Sequence, residues 1–354
     1  MNERLGIGVA LAVWLAALGG AGAAPWKFAV FCDSRGGRTG TDGSERGART
    51  AEVRPLAQAV AAEQVDLVIV PGDLVAGSAL LGPLAEQLQA WKQAMAPVYD
   101  ARIPVYVIRG NHELAQDASA AVWRRVFPDQ PTNGPAAQQG LTYRVDYSNA
   151  CFVGFDQYIG QHAGGSNAAA DHTTQAGLIH PWVLDQVRGA AQPWVFVFAH
   201  APAFAYVHQD CLDAAPAERD ALWDALGTKG GVYFCGHDHV YVRARIPSRA
   251  GPPVTQFIVG CAGAPHYAGK EEEEHEGAPQ PGRAAVQFVN GALDGKQNHN
   301  TGGHPPYFGY LVIAVDGRSA TGEWKAYVNC DEKAWAVPEH PEFKTLDTFR
   351  LSVP

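Results

Sequence analysis

Short apolar runs rich in β-branched and aromatic residues recur along the chain: Phe28-Ala29-Val30-Phe31, Leu67-Val68-Ile69-Val70, Val105-Tyr106-Val107-Ile108, Trp194 to Ala199, and Val232-Tyr233-Phe234-Cys235. Runs of this length, bounded by Gly or Pro, predict buried strands. Between them the apolar spacing becomes helical, which predicts helices over Arg49–Gln64, about Pro83–Tyr99, Ser119–Phe127, Pro181–Arg188 and Pro216–Leu226. Leu141 to Phe155 alternates as two strands joined at Ser148-Asn149, and further strands are expected over Val240–Ile246, Val254–Val259, Tyr310–Val315 and Glu323–Val328. Strands alternating with helices make this an α/β chain. A Gly-rich loop, Gly36 to Gly47, comes after the first strand, and Gly160 to Ala170 is expected to be a loop over a site. Periodicity fails over about 268–303, where a run of four Glu, Pro and scattered Gly predicts a mobile insertion.

The residues just beyond each strand carry the chemistry. The runs end at Asp33, Gly72-Asp73, Gly110-Asn111-His112-Glu113, His200 and Gly236-His237-Asp238-His239. In a layered α/β fold the carboxyl ends of neighbouring strands meet on one rim, where sites form. A single Gly-Asn-His-Glu could be only a turn, because Gly and Asn favour turn conformations. Five islands of this kind point to one hydrolytic centre holding two cations. Such a centre sets its ions about 3.5–4 Å apart, polarises a phosphoryl group and makes a nucleophile from water near neutral pH. Asp33, Asp73, Asn111, His200, His237 and His239 are the candidate ligands. Imidazole, carboxylate and amide together suit Mn, Fe or Zn, divalent or trivalent, better than Ca. His112 is left over to protonate a leaving alkoxide, and Glu113 is placed to hold that imidazole. A strand through Gly236–His239 would turn His237 and His239 to one face and the structural Asp238 to the other.

In their order and spacing, the islands from Asp33 to Gly236-His237-Asp238-His239 resemble the calcineurin-like metallophosphoesterases over roughly residues 28–242. The resemblance implies a four-layer α-β-β-α sandwich, two mixed β-sheets with helices outside. It also implies that Asp73 bridges two metals. Asn111, His200 and His237 would hold one of them, Asp33 and His239 the other, with His112 as general acid. One position departs. Most of the family reads Asp-x-His in the first motif, and that His is a metal ligand; here the row reads Asp33-Ser34-Arg35. Arginine keeps its proton and cannot ligate a cation. The purple acid phosphatase branch, which also lacks this His, substitutes a Tyr three residues after the second Asp, where this chain has Ala76. The first metal is left with Asp33, Asp73 and His239, and His304 or His208 could complete its set. Arg35 and Arg109 become candidate phosphate contacts, the planar fork of Arg35 being suited to it; a salt bridge to a neighbouring carboxylate is an equal reading for Arg35, and bracing of its loop is the preferred one for Arg109. The expected activity is phosphoric ester hydrolysis, on a monoester or a diester. The alternative is a weak or inactive phosphate- or metal-binding protein on the same scaffold.

Composition narrows the partners. A net charge of −9 argues against a broad electrostatic grip on nucleic acid, so a small-molecule or lipid phosphate ester is the expected substrate. Arg4, an apolar stretch from Leu5 to Leu18 and the Ala21-Gly22-Ala23 pattern read as a signal peptide over 1–23, giving a periplasmic or secreted protein. Gly6, Gly8, Gly19 and Gly20 leave too short an apolar core for a membrane anchor, and no later segment is apolar enough to span. The remaining residues, 24–354, are expected to form one catalytic domain. Of six cysteines, Cys32 and Cys235 lie inside predicted strands and are expected to be buried small hydrophobes.

Overall fold

A computed structural model describes residues 24–40, 44–159, 179–206, 211–212, 215–264, 287–288, 308–327 and 341–354. The expected signal peptide, the loop at 160–170, His208 and His304 lie outside the described residues, as does the expected insertion at about 268–303 apart from 287–288. Among the described residues thirteen strands form two sheets. The first joins, in spatial order, β13 (Phe343–Ser352), β12 (Ser319–Tyr327), β11 (Phe308–Asp316), β1 (Trp26–Val30), β2 (Leu67–Val70) and β3 (Val105–Val107). The second joins β10 (Gln287–Phe288), β8 (Tyr241–Ile246), β9 (Val254–Val259), β7 (Val232–Cys235), β6 (Trp194–Phe198), β5 (Ala150–Gly154) and β4 (Tyr143–Tyr147). Both sheets are mixed. β1, β2 and β3 run parallel, as do β5, β6, β7 and β9, with antiparallel strands at the margins.

Strand alternation builds the layers. Phe28 and Val30 of β1, with Leu67 and Ile69 of β2, turn toward the second sheet, while Ala29, Phe31, Val68 and Val70 turn outward. The outward set packs on α1 (Thr50–Ala62), α2 (Leu84–Ala94), α3 (Ala96–Asp100) and α4 (Ser119–Val126). Val183, Val187, Leu222 and Leu226, from α5 (Pro181–Gly189) and α6 (Pro216–Lys229), join the core of the second sheet. Phe28 locks the sheets together, its ring 5.0 Å from Phe196, 5.2 Å from Phe152 and 5.8 Å from Phe234. Such pairs add about 0.5–1.5 kcal/mol each beyond the area they bury. The expected four-layer sandwich is the fold observed.

Two expectations change. The helix expected from Pro83 to Tyr99 is two helices broken at Met95 (ψ 2°), because Pro97 has no N–H to continue the ladder. β13 was not legible. It is an edge strand whose alternation is interrupted where its pairing with β12 shifts register beside Trp324/Lys325, and it buries a carboxylate, Asp347, against Tyr241 Oη (2.9 Å) and Arg243 Nε (3.0 Å). Cys32, Cys151, Cys235 and Cys261 are buried free thiols, Cys211 is buried too, and Cys32 Sγ donates to the Val259 carbonyl at 3.3 Å. Among the described residues no helix is long and apolar enough to cross a membrane.

Candidate metal centre

All six predicted ligands sit just beyond the carboxyl ends of parallel strands: Asp33 after β1, Asp73 after β2, Asn111 after β3, His200 after β6, and His237 and His239 after β7. Face-to-face sheets bring these ends to one rim. Asp33 (φ 59°), Asp73 (φ 52°) and His237 (φ 67°) all adopt left-handed backbone conformations, which cost of order 1–3 kcal/mol each for residues with a Cβ. Close packing enforces them. A Cβ on Gly110 would collide with the Asp73 carboxylate, and one on Gly236 with that of Asp33. His237 and His239 converge for a reason other than strand alternation. Gly236–Val240 lies beyond β7 in a tight bend, with Asp238 N donating to Gly236 O (2.8 Å) and Val240 N to Asp238 O (2.7 Å). Asp238 is structural as expected, its Oδ2 accepting from Tyr206 N at 2.7 Å.

Each aspartate commits one oxygen to the backbone. Asp33 Oδ2 accepts from His237 N and Asp73 Oδ1 from His112 N, both at 3.0 Å. The other oxygen of Asp33, Oδ1, is buried without a hydrogen-bond partner, 3.5 Å from His239 Nε2. Ligand atoms of Asp33, Asp73 and His239 lie within 4.8 Å of one another. A buried orphan acceptor inside a converging carboxylate–imidazole trio is the environment a cation satisfies. Across Asp73, His200 Nε2 stands 3.4 Å from Oδ1 and 3.1 Å from Asn111 Oδ1, and its ring lies 5.1 Å from that of His237. His200 Nδ1 faces the Pro71 carbonyl at 2.8 Å; a carbonyl only accepts, so Nδ1 carries a proton and Nε2 is the atom aimed into the centre. The residues present fit a metal ion.

Electrostatics around Asp73 point the same way. Burial pushes Asp33 up to about 7, with the Asp73 charge adding to it and His200 opposing. For Asp73 the penalty of burial is outweighed by His200, His112 and Arg35, which hold it well below the usual carboxylate range. Burial pulls His200 down, but the Asp73 carboxylate wins and raises it to about 9. The bare protein thus gathers positive charge at Asp73.

The remaining predicted site residues divide. His112 borders the centre: Nδ1 donates to the Ala76 carbonyl at 3.1 Å and Nε2 lies 3.9 Å from Asp73 Oδ2. Burial, then the Arg35 charge, pulls it down to about 3, so the imidazole of the bare protein is neutral. Arg35 lies against the first half of the centre, Nε 3.4 Å from Asp73 Oδ2 and Nη2 3.4 Å from His239 Nε2. One expectation is corrected, for Glu113, and of the two readings of Arg109 the structure takes the loop brace over the phosphate contact. Glu113 does not hold the His112 ring; its buried carboxylate accepts from four backbone N–H groups, those of Gly110 (2.7 Å), Leu74 (2.8 Å), Asp73 and Val75 (both 3.1 Å). Arg109 does not face the cleft. It is buried, paired with Asp156 (2.5 Å) and Ser119 Oγ (2.8 Å), and braces the turn before Asn111. The carbonyls of Pro71 and Ala76, which set the two imidazole tautomers, escaped sequence reasoning because a backbone carbonyl has no residue type.

A profile of the calcineurin-like phosphoesterase family matches residues 46–241, more than half of the chain. The chain belongs to that family. A curated relative, purple acid phosphatase 23 of Arabidopsis thaliana, is 25% identical over 173 residues, 46% of this chain and 34% of that protein. The chain therefore spans about a third of that relative's length. Three solved structures share the fold. PhoD superposes with a TM-score of 0.60 at 14% identity, covering 94% of this chain and 70% of its own. A dimetal phosphatase from Danio rerio gives 0.55 at 13% identity, covering 93% and 99%. A purple acid phosphatase from yellow lupin (Lupinus luteus) seeds gives 0.54 at 15% identity, covering 93% and 54%.

Proposed function

We propose that this protein is an exported, metal-dependent phosphoric ester hydrolase acting on a small-molecule or lipid phosphate ester. The observation that carries the proposal is the rim itself: six candidate ligand side chains and His112 stand just beyond five strand ends, with His112, His200 and Arg35 turned to Asp73. Asp73, Asn111, His200 and His237 would hold one cation, and Asp33, Asp73 and His239 a second. Cations bound there would polarise a phosphoryl oxygen and lower the pKa of a water.

The protein's own residues supply the rest. His112 stands beside the carboxylate that would be nearest a bound phosphoryl group, in a fixed orientation. With Nδ1 committed to the Ala76 carbonyl, Nε2 is the atom that exchanges a proton with the leaving oxygen. Burial and the Arg35 charge favour the neutral imidazole of His112 in the metal-free protein, and the negative charge of a phosphate ester would favour its protonation. Arg35, pointing at the same space with 14% of its side chain exposed, offers planar donors to that ester. Phosphate monoesters are the first substrates to try, since the relatives are named phosphatases. Export rests on the first 23 residues of the sequence.

The test is turnover of a chromogenic phosphomonoester and the matching diester by Mn²⁺-reconstituted protein, with and without chelator. His112→Ala is expected to lose about 10²–10⁴ in rate, more for an alkyl than for a nitrophenyl leaving group. No metal-dependent rate on either ester would refute the proposal. It would favour the rival reading of a binding protein, which rests on Arg35 standing where most of the family has a ligand.

A further inference from the structure

We infer that Arg35 serves as the resident counter-charge of the first half-site, so that the resting protein retains one cation tightly, at Asp73, Asn111, His200 and His237, and holds a second only weakly. The inference rests on the metal-dependent reading above and goes beyond it by assigning unequal roles to the two half-sites.

Three observations carry it. The guanidinium is in contact with two of the three first-site donors, at 3.4 Å from both Asp73 Oδ2 and His239 Nε2. Its placement is built into the backbone. Arg35 pairs with Ala48 across an isolated bridge, Gly36 N donates to Gly47 O at 2.9 Å, and Arg49 N donates to Ser34 O at 2.9 Å. The third observation is the charge balance. The candidate ligand set contains two carboxylates, Asp33 and Asp73, both buried, and the buried Glu113 carboxyl stands behind them on Asp73 N. Two divalent cations and Arg35 would set five positive charges against two negative ones, or three with Glu113 ionised; one cation and Arg35 bring only three. Water screens little in so buried a site, and an uncompensated charge there is expensive. Arginine cannot shed its proton to relieve the excess, as an imidazole can when a cation arrives. A guanidinium at this position therefore weakens the first half-site twice, by omitting a donor and by adding a fixed positive charge. The guanidinium thus lies within ion-pair distance of Asp73 Oδ2, the oxygen that Asp73 does not commit to the backbone.

The experiment is Mn²⁺ titration of chelator-stripped protein, reading bound metal per chain by equilibrium dialysis and the electron paramagnetic resonance spectrum of the bound ions. Wild type is expected to bind one Mn²⁺ with the spectrum of an isolated ion. Arg35→His, which restores a donor and removes the fixed charge, is expected to bind two with an exchange-coupled spectrum. Arg35→Ala removes only the charge and is expected to bind its second Mn²⁺ at least tenfold more tightly than wild type; it carries the test if Arg35→His fails to fold. Two Mn²⁺ of comparable affinity in wild type would overturn the inference. So would second-site binding unchanged in both variants, or rescued by Arg35→His alone. Binding of no Mn²⁺ by wild type would sink the metal-dependent reading and the inference with it.

Discussion

Replacing Glu113 separates a brace from a catalyst. Its two carboxylate oxygens accept four backbone N–H groups, Oε2 from Gly110 (2.7 Å) and Asp73 (3.1 Å), Oε1 from Leu74 (2.8 Å) and Val75 (3.1 Å). These donors belong to the turn that keeps Asp73 at φ 52° and to the turn before Asn111. Glu113→Ala strands all four. A buried N–H without a partner costs ~1–3 kcal/mol, and water entering the vacated space recovers part of that, so a loss of about 3–6 kcal/mol is expected. Glu113→Gln keeps the bonds to Oε1 only if its amide nitrogen faces the N–H groups of Gly110 and Asp73, donor against donor. It should lose at least half as much. The assay is urea unfolding tracked by tryptophan fluorescence, on chelated protein so that metal binding does not enter. A loss below about 1 kcal/mol for Glu113→Ala would refute the argument, since it would mean that the four donors are satisfied elsewhere. His112→Ala should behave oppositely, lowering turnover with little change in unfolding.

Two further outcomes are expected. Arg109→Met leaves Asp156 buried without its partner and should cost about 3–5 kcal/mol in stability, with KM unchanged for the molecules that remain folded; a KM increase without a stability loss would return Arg109 to the substrate. Asp33, pushed up to about 7 from an ordinary 3.8, contributes stability to the bare protein that is present in full below 3.8 and is lost as pH rises through about 7. In chelator, Asp33→Asn should therefore gain on wild type in thermal unfolding temperature between pH 5 and pH 8, and parallel curves at the two pH values would contradict this.

The fold class and the strand ends that carry the candidate ligands were legible in the sequence because both are written locally. Four- to six-residue apolar runs state where buried strands lie, and Gly72-Asp73, Gly110-Asn111-His112 and Gly236-His237 state that something other than a helix comes after each of them. The helices α1, α4 and α5 were found within a few residues of their ends for the same reason, since amphipathic spacing is a property of neighbours along the chain. The break at Met95 was missed by giving helical spacing more weight than Pro97.

Roles, by contrast, were decided in three dimensions. Glu113 reads as an accessory to its neighbour His112, yet its partners include Leu74, 39 residues earlier; Arg109 reads as a loop brace or a phosphate contact, and the carboxylate that decides for the brace is 47 residues later. In the sequence Arg35 is only a cation two residues beyond Asp33. Only the packing of the first-strand loop against the bend after β7 puts its guanidinium on Asp73 and His239. A side chain's type fixes what it can bind, and local pattern fixes which element carries it. Which partner it meets depends on how strand ends from two sheets are brought to one rim, and that depends on the whole core.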